Sequence, residues 1–115
     1  MTQTRPVDLV HLSRYTGGDR HVNAEVLTLF ATQSAELLGK LDTALRESDC
    51  KSWRDIAHSL KGGARGIGAF ELAAHAEEVE AANPAQDHGV AARALANLRS
   101  SSQSVTVFID AYLGR

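Results

Sequence analysis

His58 is the residue whose surroundings in this sequence point most directly to chemistry. It lies in the run WRDIAHSLKGGARGIGA, residues 53–69. A helix turns by about 100° per residue, which places Arg54, Lys61, Gly62 and Arg65 within roughly 60° of His58. Ile56, Leu60, Gly63, Ala64 and Ile67 then form an apolar stripe on the opposite side, with Trp53 inside it and Ala57 at its edge. The histidine therefore sits on the solvent face among cations. Cations three and four residues away repel a protonated imidazole and favour the neutral ring. A neutral ring has a free lone pair and can act as a nucleophile. If it accepted a phosphoryl group, the cations would become its partners. Lys61 would reach an oxygen as a point charge, and Arg65 would be a second donor.

The adjacent Gly62 and Gly63 each weaken a helix by roughly 1 kcal/mol relative to alanine. Gly63 points toward the apolar stripe, where close helix packing explains it. Gly62 points outward beside His58. It leaves room for an anion and, with Arg54, for a docking partner.

Helices must position these groups. The spacing predicts a short helix capped by Asp8 and ended by Gly17-Gly18. A long second helix capped by Asp19 carries Val22, Val26, Leu29, Phe30, Leu37, Leu38, Leu41 and Leu45. Ser48 or Asp49 caps the helix of His58, which Gly66 and Gly68 bring to an end. A fourth helix buries Leu72, Ala76 and Val79 and closes at Asn83-Pro84. The last runs from about Asp87 to Leu113, with a polar middle at Ser100–Ser104 read as a solvated face with moderate disruption. No segment shows strand alternation. The fold class expected is all-α: an antiparallel up-down four-helix bundle with an additional short N-terminal helix, one domain over 1–115 with residues 1–7 a loose lead-in.

Composition narrows the function. With 115 residues and a net charge of −2, and without a lysine or arginine run, the default is neither a nucleic-acid nor a membrane-surface binder. No apolar run approaches the roughly 20 residues of a membrane span. No signal peptide is visible, so the expected location is cytoplasmic. The lone Cys50 excludes an internal disulfide and lacks a basic partner for catalysis. His11, His21, His75 and His88 have no metal-ligand spacing, so no metal site is expected. His75 reads as a partly buried structural histidine.

The segment from His58 to Ala69, HSLKGGARGIGA, resembles the signature of histidine-containing phosphotransfer (HPt) domains: a histidine, lysine and glycine at +3 and +4, a small residue, and a hydrophobic-glycine pair near +10. The helix layout, including Gly17-Gly18-Asp19, extends the resemblance over most of the chain. It implies a bundle whose exposed histidine takes a phosphoryl group from a receiver-domain aspartate and passes it to another. His58 would be phosphorylated at Nε2, Lys61 would contact the phosphate, and Gly62 would give clearance. Many members have glutamine 22 residues after the histidine, where this chain has Glu80. A carboxylate there could orient the ring by accepting from Nδ1–H, would also repel phosphate, and could equally be a solvated side chain. The family often has serine or alanine where this chain has Gly63.

The partners implied are response-regulator receiver domains and a hybrid histidine kinase, with no nucleic acid and no membrane. A monomer is expected, because the bundle buries its own stripes. The receiver would bring the Mg²⁺; no cofactor of this chain's own is expected, and no autonomous catalysis. Two other functions compete. One is a non-catalytic helical adaptor using the same face. The other is a detached phospho-accepting domain resembling that of chemotaxis-type kinases, which would need an ATP-binding kinase in trans, since no Gly-rich phosphate loop follows a strand here.

Overall fold

Aspartates start four of the five helices. In a computed structural model of the chain, which describes residues 5–115, the helices are α1 (Leu9–Thr16), α2 (Arg20–Glu47), α3 (Cys50–Ile67), α4 (Phe70–Ala81) and α5 (His88–Leu113). Asp8, Asp19, Asp49 and Asp87 accept backbone N–H bonds from the first turns of α1, α2, α3 and α5. These satisfy donors that a helix start leaves without an internal partner. Only α4 starts without a side-chain cap, at Ala69. Of the two residues offered for α3, Asp49 is the cap. Ser48 instead closes α2 in the left-handed conformation, with φ of 52°.

Among the described residues there are helices and no strands. Helices α2, α3, α4 and α5 form a closed ring of neighbours, and α1 packs on α2 and α3. The connections are short, and contacts such as Arg20–Tyr112 and Asp42–Arg99 show α2 and α5 running antiparallel. The core is aliphatic, with Leu27, Leu41, Leu60, Leu72, Leu98 and Ile109 almost wholly buried around Trp53.

Several expectations are corrected. The inward stripe of α2 is Asn23, Leu27, Phe30, Ser34, Leu38, Leu41 and Ala44, while Val22 and Leu29 are exposed. Apolar periodicity passes over Asn23 and Ser34, whose polar atoms find partners within the bundle. Asn23 bonds Thr16 and Tyr112, and Ser34 Oγ donates to Ala31 O at 3.2 Å. The serine run leaves α5 unbroken, and Ser102 is buried. Gly66 is helical, so Gly68 alone ends α3.

Gly68 is needed for two reasons. Its φ is 82°, and a Cβ there would lie 2.7 Å from Asp8 O. That contact ties down the chain ahead of α1: Asp8 N–H donates to Gly68 O at 2.9 Å. Within the expected loose lead-in, Val7 is fully buried. Residues 1–4 lie outside the described residues.

Candidate functional site

The site is built on the seam between α3 and α4, which polar side chains join along its length. Trp53, 1% exposed, donates from Nε1 to Val79 O at 2.7 Å. Val79 lies in the last turn of α4, and its carbonyl, which also accepts from Ala82 N–H at 3.1 Å, takes the indole bond that pins the two helices. Cys50 Sγ–H donates to Asn83 Oδ1 at 3.0 Å below it. This register brings Glu80, the residue after Val79, up against the outer face of α3.

There one carboxylate holds two groups. His58 Nδ1 lies 2.8 Å from Glu80 Oε2, and Lys61 Nζ donates to Glu80 Oε1 at 2.5 Å. The three side chains differ sharply in exposure: 69% for His58, 20% for Glu80 and 13% for Lys61. The ammonium of Lys61 holds the Glu80 carboxyl below the usual glutamate range, the His58 contact adds to this, and partial desolvation opposes it. An ionised carboxylate can only accept hydrogen bonds. The proton between them is therefore assigned to His58 Nδ1, which donates to Glu80. Among the described residues Nε2 has no protein partner. With that proton on Nδ1, the neutral form of the ring presents its lone pair at Nε2.

The ring of free cations expected around His58 is therefore only partly present. Lys61 is turned along the helix surface into an ion pair with Glu80. Arg65 Nη2 lies 4.0 Å from Glu77 Oε1 on α4. Arg54 lines a polar cleft with Cys50, Glu80, Asn83 and Gln86, immediately beside the site. On the same helix, Lys51 bonds Asp55 at 2.8 Å. A helical wheel shows one helix, so it cannot display charges that α4 brings across. Glu80 is the exception that spacing to a motif could find; nothing in the sequence marked Glu77 or the Trp53–Val79 bond.

The two glycines separate as their directions on the wheel suggest. Nothing lies within 4 Å of a Cβ built on Gly62, so the surface one turn beyond His58 is open. A Cβ on Gly63 would touch the Phe30 ring at 3.4 Å. Gly63 itself is solvent-exposed at the edge of the α2–α3 contact rather than deep within it. His75 is elsewhere on α4, a quarter exposed, between Glu71 and Glu78. Among the described residues no group of histidine, cysteine and acidic side chains is arranged to hold a metal ion, and no helix is long and apolar enough to cross a membrane.

The sequence model of the Hpt domain matches residues 25–106. The crystal structure of histidine-containing phosphotransfer protein B (HptB) from Pseudomonas aeruginosa PAO1 is similar to this chain, with a TM-score of 0.77 at 24% sequence identity. The match covers 97% of this chain and 95% of that one, and at this identity it speaks for the fold. No curated protein sequence matches the chain.

Proposed function

Because the chain belongs to the Hpt domain family, we propose that it carries a phosphoryl group on His58 Nε2, taken from a receiver-domain aspartate or a kinase and passed to another receiver. One observation carries this reading: Glu80 occupies Nδ1, and the exposed ring keeps Nε2 free. Lys61 spends one N–H on Glu80 and has two more for a phosphoryl oxygen. Arg65, half exposed beside its weak contact with Glu77, is the second cation within reach of the bound group. Gly62 and Arg54 give the receiver a close approach on either side of the ring.

The chain contributes a positioned nucleophile and a local field, and is a relay intermediate rather than an autonomous enzyme. The receiver supplies the aspartate and the Mg²⁺ that neutralises the moving charge. We place the protein in the cytoplasm as a monomer, where such receivers work.

The test is transfer from a phosphorylated receiver domain. Label should appear on this protein as acid-labile, base-stable phosphate and be absent from His58→Gln. Equal labelling of the variant would overturn the assignment of His58. A protein that never takes label, yet binds the receiver, would be the non-catalytic adaptor. Label arriving from a kinase and ATP but never from receivers would instead mark a detached kinase domain.

A further inference from the structure

The polar middle of α5 and the ring of His75 take no part in the chemistry of His58, and they meet in one place. Helix α4 gives Glu80 to its seam with α3 and His75 to its seam with α5. Along that second seam lies a cleft of about 240 Å³, walled by Glu71 and His75 on α4 and by Asn97, Ser100, Ser101 and Ser104 on α5.

The serines are unexpected in the middle of a helix. Serine is a poorer helix former than alanine, which α5 uses at positions 91, 92, 94 and 96. Ser102 is buried in the bundle, so packing accounts for it, whereas Ser100, Ser101 and Ser104 line the cleft. A helical serine can satisfy its hydroxyl on the carbonyl four residues back. Ser104 does so, donating to Ser100 O at 3.5 Å, but among the described residues the side chains of Asn97, Ser100 and Ser101 bond nothing. The Nδ1 atom of His75 is buried and also without a hydrogen-bond partner. A buried polar atom left unpaired is costly and calls for an explanation. One cleft therefore gathers side chains whose hydrogen-bonding capacity the protein itself leaves unused.

The charge around the cleft selects its ligand. Glu71 lines it, Glu78 Oε2 comes within 3.5 Å of His75 Nδ1, and no lysine or arginine lines it. Arg99, also on α5, is engaged by Asp42 on α2. An anion would be repelled, and an apolar molecule would strand the hydroxyls and the carboxamide. Among the described residues no side-chain group is arranged to hold a metal ion. A cation rich in N–H donors instead meets acceptors on both walls: the Glu71 carboxylate, the Asn97 carboxamide oxygen, the serine oxygens and the bare nitrogen of a neutral His75. Glu71 and Glu78 stand about 10 Å apart along α4, with His75 between them, a spacing that suits two ammonium groups on one molecule. We propose that the α4–α5 cleft is a binding site for a small organic diamine, with Glu71 as its principal counter-charge. The ligand sits on the seam of α4 opposite to that of Glu80, so the site stands whether or not His58 carries phosphate.

The experiment titrates the ¹⁵N-labelled full chain with 1,4-diaminobutane in about 0.15 M salt, where weak surface attraction is screened. Backbone amides at His75, Ser100 and Ser101 should shift and saturate. Glu71→Gln and Asn97→Leu, both at exposed positions, should each weaken the apparent Kd by about fivefold or more. Glu36→Gln changes the net charge as Glu71→Gln does, on the exposed side of α2, and should leave the Kd unchanged. Shifts that never saturate, or that Glu36→Gln weakens as much as Glu71→Gln, would overturn the proposal in favour of general attraction to an acidic surface. Equal binding of butane-1,4-diol, which has the same length and no charge, would overturn the diamine as the ligand class. Saturable shifts centred away from the cleft would overturn its location.

Discussion

His58 and His75 are both histidines with glutamates close by, and their surroundings make them different chemical objects. The glutamates of His75 come from its own helix, with Glu71 Oε1 3.9 Å from Nε2 and Glu78 Oε2 3.5 Å from Nδ1. The Nδ1 atom is buried and without a hydrogen-bond partner. Neighbours three or four residues apart share a helix face, but here neither carboxylate hydrogen-bonds the buried Nδ1. The glutamate of His58 comes from the next helix, meets the ring nitrogen at 2.8 Å, and is anchored by Lys61 on its far oxygen. One arrangement leaves a half-buried ring with poor partners. The other fixes a proton and frees a nitrogen. What separates them is an approach from across a helix seam, with a second contact holding the carboxylate in place.

The most drastic way to break this comparison is to remove each ring. His58→Gln should abolish labelling by a phosphorylated receiver, while His75→Gln should label at the wild-type level, as gel autoradiography would show. Loss of labelling in both would mean that the difference in surroundings has no functional meaning. Next comes the seam itself. Trp53→Ala should cost roughly 3–5 kcal/mol in urea unfolding, since it empties a fully buried indole site. Trp53→Phe keeps most of the packing and removes the bond to Val79 O, for a loss of about 1 kcal/mol. A phosphotransfer rate unchanged in the folded Trp53→Phe protein would show that the Glu80 register does not depend on that bond.

Gly62→Gln sharpens the comparison on its open side. It should raise stability by roughly 1 kcal/mol, because glycine in a helix interior is intrinsically unfavourable, and a Cβ there meets nothing within 4 Å. Transfer to His58 should slow, because the longer side chain fills the space a receiver needs. A variant that transfers at the normal rate would leave Gly62 without a functional reason.

The smallest effect is acid sensitivity. The Glu80 carboxyl is lowered on folding, chiefly by Lys61. Its contribution is present above the unfolded glutamate value of roughly 4.3 and is lost as the pH falls through the lowered folded value. Wild type should therefore lead Glu80→Gln by a constant margin near neutrality, and the margin should close below that value in denaturant titrations. A margin that persists into strong acid would mean that the ion pair is not its source.

Much of this was readable from residue types alone. The caps at Asp8 and Asp19, the inward face of α3 and the exposed position of His58 each follow from local spacing, because caps and helical periodicity involve residues within a few positions of one another. Apolar counting failed on α2. There the bundle buries Asn23 and Ser34 and exposes Val22 and Leu29, because burial depends on where α5 and α3 lie rather than on the helix's own composition. Spacing from His58 also drew attention to Glu80, though not to what it does.

The sequence by itself determined an all-helical chain with one histidine on an outer face, a glycine beside it and cations around it. Only the tertiary structure decided which cations stay free, which ring nitrogen keeps its proton and which lies open. Those depend on a carboxylate from α4 lying within hydrogen-bond distance of two side chains on α3. A contact that short, between residues 22 and 19 positions apart, is set by helix packing and the Trp53–Val79 pin, and no local pattern encodes it.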